Sequence, residues 1–242
     1  MPRRITCEVQ DRSPVTVVRL RGGLDLGTMR TVHTALDDCL ASQPDALVVD
    51  LTDVTVRDPL ALSVFAATAR RAAGWPAVPV VLCAPPPDAA TWLAQSTACR
   101  VVPVRRDCDE ATRAANAAAA PRLRARLEPV AEACRRAREL VTDACGRWNL
   151  PEAVGPASLV LSELVGNVVR HAGTPMRVTL TLRRPYLQVA VTDGDRTLVR
   201  AGCPDGRAEG GRGLVLVREL AQMWGSSPAG DGKVVWAILP AN

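Results

Sequence analysis

The sequence predicts an α/β chain whose two halves follow different plans. Through residue 115, short apolar strand-like runs alternate with helical periodicities, whereas the second half sets two long helices before its strands. Between them lies the alanine-rich run Asn116–Ala120, ended by Pro121. Alanine favours helix and proline stops it, so a helix end and connector belong here. The expected division is residues 1–115, a linker over 116–121, and 122–242.

Each element has its own warrant. Arg4–Val9 and Val15–Arg21 read as strands, with Gly22-Gly23 as a turn signal. Met29, Val32, Leu36 and Leu40 recur at helical spacing within Thr28–Ala41. Ala46–Leu51 is a buried strand, Leu60–Ala73 a helix, and Pro79–Ala84 a further buried strand before Pro85-Pro86-Pro87. A helix over Ala89–Gln95, a strand at Val101–Val104 and a helix from Asp107 complete this half. Beyond the linker, Val130, Cys134, Ala137, Val141, Ala144 and Trp148 form the apolar stripe of a helix over Pro129–Trp148. Pro156–Ala172 is the next helix, and strands Arg177–Arg183 and Tyr186–Thr192 join around Arg184-Pro185. A loop rich in Gly, Asp and Arg leads to a helix over Gly213–Trp224 and a last strand, Lys233–Leu239. Gly230-Asp231-Gly232-Lys233 reads as a hairpin turn, since a phosphate loop needs a longer spacing and a Ser or Thr after the lysine.

Composition narrows the function classes. The chain of 242 residues is 48% hydrophobic and 23% charged, enough for a sizeable core and too apolar for disorder. It has no apolar run long enough to cross a bilayer. The basic start Met1-Pro2-Arg3-Arg4 is followed by polar residues rather than a signal-peptide segment, so a cytoplasmic protein without membrane contact is expected. The net charge of +5 is almost wholly arginine against interspersed acids, Lys233 being the single lysine. With 3% aromatics there is no stacking platform, so no direct nucleic-acid partner is expected. The eight cysteines are scattered without a Cys-x-x-Cys pair. They read as reduced, small apolar residues rather than metal ligands or a disulfide framework.

The sharpest chemistry lies in LVLSELVGNVVRHA, where Glu163 and Asn167 are four residues apart and share one helix face. By itself that pair suits a solvent face. Two further segments oppose so plain a reading: VTDGD (Val191–Asp195) closing a strand, and GGRGLVLV (Gly210–Val217) opening a helix. SELVGNVVRHA, VTDGD, GGRGLVLV and GKVVWAILP, in that order, resemble the small histidine-kinase-like ATPase domain (the GHKL or Bergerat fold) of anti-sigma-factor serine kinases, over residues 122–242. The resemblance implies ATP and Mg²⁺ as cofactors, Asn167 as the Mg²⁺ ligand and Glu163 as the catalytic base. It also places Asp193 against the adenine amino group, with Gly194 beside it. Gly211, Arg212, Gly213 and Leu214 would form the helix start that meets phosphate, where free N–H groups and the dipole favour anions. Arg196–Gly210 would be a lid. His171 closes the motif in a structural role. Against the family pattern, Asp195 follows Gly194 and adds a negative charge, and Val234 stands where a threonine usually supports the aspartate.

The first half, through VVRLRGGLDLGTMRTVHTAL and ALVVDLTDVTVRDPLALSVF, resembles a STAS domain, the fold of anti-anti-sigma factors. Phosphorylatable members carry Asp-Ser-Ser-Gly at the turn where this chain reads Asp58-Pro59-Leu60-Ala61. Leu60 therefore takes the place of the accepting serine and has no hydroxyl to phosphorylate. Ser63, one turn on, is expected to face the core.

Together the resemblances imply a fold of two parts: a STAS-like sheet with covering helices, then a Bergerat-type α/β sandwich. They imply an ATP-binding anti-sigma-type regulator acting as a serine/threonine kinase on STAS-domain partners. The alternative is a non-catalytic scaffold in which nucleotide only gates partner binding. The implied partners are a STAS-domain anti-anti-sigma factor, a sigma factor, or both. Docking of the two halves on each other and a homodimer are left open.

Overall fold

The computed structural model describes residues 5–12, 14–97, 99–199 and 211–241. The chain forms two compact units, Met1–Ala120 and Pro121–Asn242.

The first unit holds a five-stranded sheet in the order β1-β2-β3-β4-β5. Strands β1 (Ile5–Arg12) and β2 (Val15–Leu24) are antiparallel, and β3 (Ala46–Val56), β4 (Val80–Cys83) and β5 (Val104–Arg105) continue in parallel. Parallel neighbours require crossovers, supplied by α1 (Met29–Ala41), α2 (Ser63–Gly74) and α3 (Pro87–Gln95), and α4 (Cys108–Ala117) closes the unit. Asp25 and Thr28 fix the start of α1 reciprocally: Thr28 N–H donates to Asp25 Oδ1 at 2.9 Å, and Asp25 N–H donates to Thr28 Oγ1 at 2.9 Å. Phe65, Leu36, Leu47 and Leu82 are fully buried among β2–β4, α1 and α2. Three expectations change. β2 runs through Gly22-Gly23 instead of ending before them. Val101–Val104 shrinks to a 3₁₀ turn over Cys99–Val101 and a two-residue β5. Ser63 opens α2 on its exposed side rather than facing the core.

The second unit is an antiparallel sheet in the order β6-β7-β8-β10-β9. Its strands are β6 (Arg122–Leu127), β7 (Met176–Arg183), β8 (Tyr186–Asp193), β9 (Met223–Ala229) and β10 (Gly232–Pro240). Helices α5 (Ala133–Trp148), α6 (Val154–Asn167) and α7 (Gly211–Leu220) accompany it. Asn149 ends α5 in the left-handed conformation that asparagine tolerates. Ala137, Val141 and Ala144 of α5 and Val160, Leu161 and Leu164 of α6 pack with Leu187, Val189 and Val191 of β8. α6 does not stay α-helical to Ala172: Val168–Ala172 widens into a π turn that Gly173 closes at φ 60°. The helix expected over Gly213–Trp224 stops at Leu220, and Met223–Ala229 is a strand paired with β10. Gly230, at φ 56°, turns that hairpin. Among the described residues no helix is long and apolar enough to cross a membrane.

Candidate functional site: a cavity between α6 and the ends of β8 and β10

The register of β8 and β10 builds the floor of the site. Leu187, Val189, Val191 and Asp193 alternate onto the helix-covered face, opposite Leu239, Ala237, Val235 and Lys233. The apolar ladder therefore ends in a charged rung, Asp193 across from Lys233. Val234 pairs with Thr192 and lies on the other face, so the residue beside the aspartate is Lys233, which corrects the sequence expectation for Val234.

Lys233 Nζ lies 3.1 Å from Asp193 Oδ1 and 2.7 Å from Asp195 Oδ2, and also donates to the Asp195 carbonyl at 3.2 Å. The side chains of Lys233 and Asp193 are 7% and 1% exposed, so this is a buried pair with a partly open third member. Asp193 Oδ1 also accepts the Asp195 N–H at 2.8 Å. The Lys233 hydrogen bond, followed by the Thr197 N–H, lowers the Asp195 carboxyl to about 2. The extra negative charge that Asp195 brings is thus matched by a cation that the sequence reading left out of the site. Gly232 is required at this corner, because a Cβ there would overlap the Asp193 carbonyl oxygen. Arg196 clips the following loop to the β9–β10 turn through Asp231 at 2.7 Å.

A cavity of about 310 Å³ opens above this rung. Its walls are apolar, from Leu164, Val168, Val191, Leu198, Leu214 and Val235, and its polar groups are Asn167, His171, Asp193, Asp195, Thr197 and Lys233. Asn167 and Asp193, distant in sequence, therefore line one space, and His171 lines it too. Gly194, between Asp193 and Asp195, is itself absent from the lining, and its N–H donates to Thr174 Oγ1 at 3.0 Å. Glu163 is absent from the lining. Its carboxylate instead abuts Gly213, where any Cβ would overlap Glu163 Oε2. Gly211 begins α7. The Arg212 side chain and residues 200–210 of the expected lid lie outside the described residues.

Arg170 completes the arrangement. From the π turn its Nη2 donates to Asn167 Oδ1 at 3.0 Å and lies 3.8 Å from Glu163 Oε2. One guanidinium thus bridges the two helix residues that the motif singles out. Helical spacing could have signalled it, since Arg170 follows Asn167 by three residues. In the first unit, Asp58 accepts the Leu60 N–H at 2.9 Å, and Leu60 is 70% exposed on the turn that enters α2.

Two family profiles match successive parts of the chain. A family profile described as "Histidine kinase-like ATPase domain" matches residues 123–239, and the STAS domain profile matches residues 6–111. The chain joins a STAS domain to a histidine kinase-like ATPase domain. The anti-sigma-F factor antagonist RsfB of Mycobacterium tuberculosis is 34% identical over 70 residues, which is 29% of this chain and 57% of that protein. The chain thus spans little more than half the length of that relative. A crystal structure of an anti-sigma factor antagonist from Mycobacterium paratuberculosis aligns at 27% identity and a TM-score of 0.43, covering 48% of this chain and 97% of that one. The unphosphorylated form of the antagonist SpoIIAA aligns at 14% identity and a TM-score of 0.35, covering 45% of this chain and 96% of that one. The cavity lies wholly within the residues that the ATPase profile matches.

Proposed function

We propose that the protein is an ATP-binding regulator in sigma-factor partner switching, and that its ATPase domain passes the γ-phosphate of ATP to a serine on a separate STAS-domain partner. The observation that carries this reading is that Asn167 and Asp193 line one cavity while Glu163 abuts the start of α7. The residues present fit an adenine nucleotide with its metal. Asp193 offers a carboxylate to an exocyclic amine, and Val191, Val235 and Leu214 offer flat apolar walls. Asn167 offers an amide oxygen suited to a hard cation, and the first N–H groups of α7 suit phosphate. When bound, Mg²⁺ would neutralise phosphate charge and hold the transferring group in line.

The chain's own part follows from these positions. Asp193 and Lys233 orient the base, and the α7 start positions the phosphates. Glu163 accepts the proton of the incoming serine hydroxyl as general base. Arg170 gives up Asn167 Oδ1 and turns its guanidinium to the charge on the transferred group. The STAS domain, with Leu60 at its turn, is an unphosphorylated docking module for that partner or for a sigma factor.

One observation favours the second reading, a nucleotide-gated scaffold without transfer: Asp193 and Asn167 are already paired within the chain, to Lys233 and Arg170. Calorimetry with Mg-ATP, followed by incubation with serine-bearing STAS proteins, separates the two. The kinase reading expects Asn167→Ala to lose Mg-ATP binding, and Glu163→Gln to bind and transfer nothing. Binding without any phosphorylated partner supports the scaffold, and no binding by the wild type refutes both.

A further inference from the structure

The cysteines, scattered in the sequence, are not all scattered in space. Cys83 ends β4 and Cys108 begins α4, and their sulfurs lie 2.6 Å apart in the STAS domain. Two unbonded sulfurs do not normally approach so closely. We propose that Cys83 and Cys108 are a thiol pair that a peroxide closes into a disulfide, tying the first residue of α4 to the end of β4.

Three features support a built pair rather than a chance contact. Cys83 is fully buried and Cys108 only half-buried, so Cys108 is the member of the pair nearer solvent. α4 buries only Ala111 and Ala115, two methyl groups, so a covalent tie at its first residue changes how firmly it is held. Asp50 also offers an oxygen within 4.8 Å of both sulfurs, but its oxygens are engaged: it pairs with Arg19 Nε at 2.8 Å and accepts the Thr52 N–H at 3.0 Å and the Thr52 hydroxyl at 2.6 Å. A metal ion shared by Asp50 and the two sulfurs would have to displace those partners, whereas a disulfide needs none of them.

The chemistry balances with hydrogen peroxide as oxidant. The Cys108 thiolate attacks peroxide, the O–O bond breaks, and the departing hydroxide takes up a proton, leaving a sulfenic acid. The Cys83 sulfur then attacks the Cys108 sulfur, the S–O bond breaks and a second water leaves. Two thiols lose two electrons and two protons, and one peroxide becomes two waters. Burial pushes both thiols up, so the first step is slow and the second, between touching sulfurs, is fast. The pair is therefore a tie formed under sustained oxidation, and Cys83 intercepts Cys108 before it oxidises further.

The test uses the full chain, fully reduced and then exposed to hydrogen peroxide, with free thiols alkylated and the protein digested by trypsin without reductant. Peptide 107–113 should appear joined to peptide 72–100, at the summed mass less two hydrogens. Trypsin leaves Cys83 and Cys99 on one peptide, so Cys99→Ser must keep the link and Cys83→Ser must lose it. In the oxidised wild type, amide exchange in α4 should slow about tenfold, since the cross-link removes local opening. Both thiols remaining alkylatable after peroxide would overturn the proposal. So would a link that survives Cys83→Ser, stoichiometric zinc released by Cys108→Ser, or unchanged exchange in α4.

Discussion

Replacing Lys233 by methionine keeps an unbranched apolar stem one atom shorter and removes the charge. Asp193, 1% exposed, is then left as a buried carboxylate with the Asp195 N–H as its remaining partner at Oδ1. Removing one member of a buried pair typically costs about 3–5 kcal/mol. The lower end applies here, because Asp195 is 33% exposed and water relieves that charge. About 3 kcal/mol in a unit of this size corresponds to a midpoint lower by about 10 °C. Scanning calorimetry of the full chain reads this against the STAS domain, whose transition should stay in place. Adding Asp193→Asn to Lys233→Met removes the stranded charge and should recover most of the loss. The pH dependence has a defined sign. The Asp195 carboxyl is lowered from 3.8 to about 2, so the stability it contributes is present above 3.8 and lost as pH falls through 2. The gap between wild type and Lys233→Met should therefore narrow as pH falls through that interval. A loss below about 1 kcal/mol, or a double variant no better than the single one, would refute the buried-pair reasoning.

Phe65→Ala, at a fully buried site in the first unit, should cost about 3–5 kcal/mol by urea unfolding and leave Mg-ATP affinity unchanged. Gly213→Ala would drive a methyl group into the Glu163 carboxylate, so phosphoryl transfer to a STAS partner should fall at least about tenfold in a kinase assay while the thermal midpoint stays near wild type. Gly232→Ala would press on the Asp193 carbonyl, and its thermal midpoint and nucleotide affinity should fall together. Leu60→Ser changes an exposed side chain and should leave stability within about 0.5 kcal/mol. Mass spectrometry after Mg-ATP should find phosphate at position 60 in that variant, and none on Thr52, Thr55 or Ser63 of the wild type.

Elements whose own side chains decide their structure were legible. Ala46–Leu51 is apolar at every position but Asp50 because β3 is covered on both faces, and Met29–Leu40 repeats at helical spacing because one side of α1 meets the sheet. Strands made by their neighbours were hidden. β6 reads RLRARL and β9 reads MWGSSPA, with Gly225 and Pro228 inside it, and both are edge strands whose structure comes from pairing with β7 and β10. The site divides in the same way. Motif order drew attention to Asn167 and Asp193, which line one cavity. Lys233 needed the β8–β10 register, which hydrophobic periodicity does not carry, whereas the spacing of Arg170 from Asn167 was there to be read. The Cys83–Cys108 contact rests on the chain path between them, which no local pattern encodes.

The single lysine has a practical corollary. In a chain of 242 residues, an amine-directed reagent has one internal side-chain target, and that target lies clasped between two carboxylates at the floor of the cavity. Acylation must wait until Lys233 leaves Asp193 and meets water, so the labelling rate becomes a clock for opening at that end of the sheet. Slower labelling with nucleotide present would report occupancy of the cavity from the native chain, without an added dye or tag.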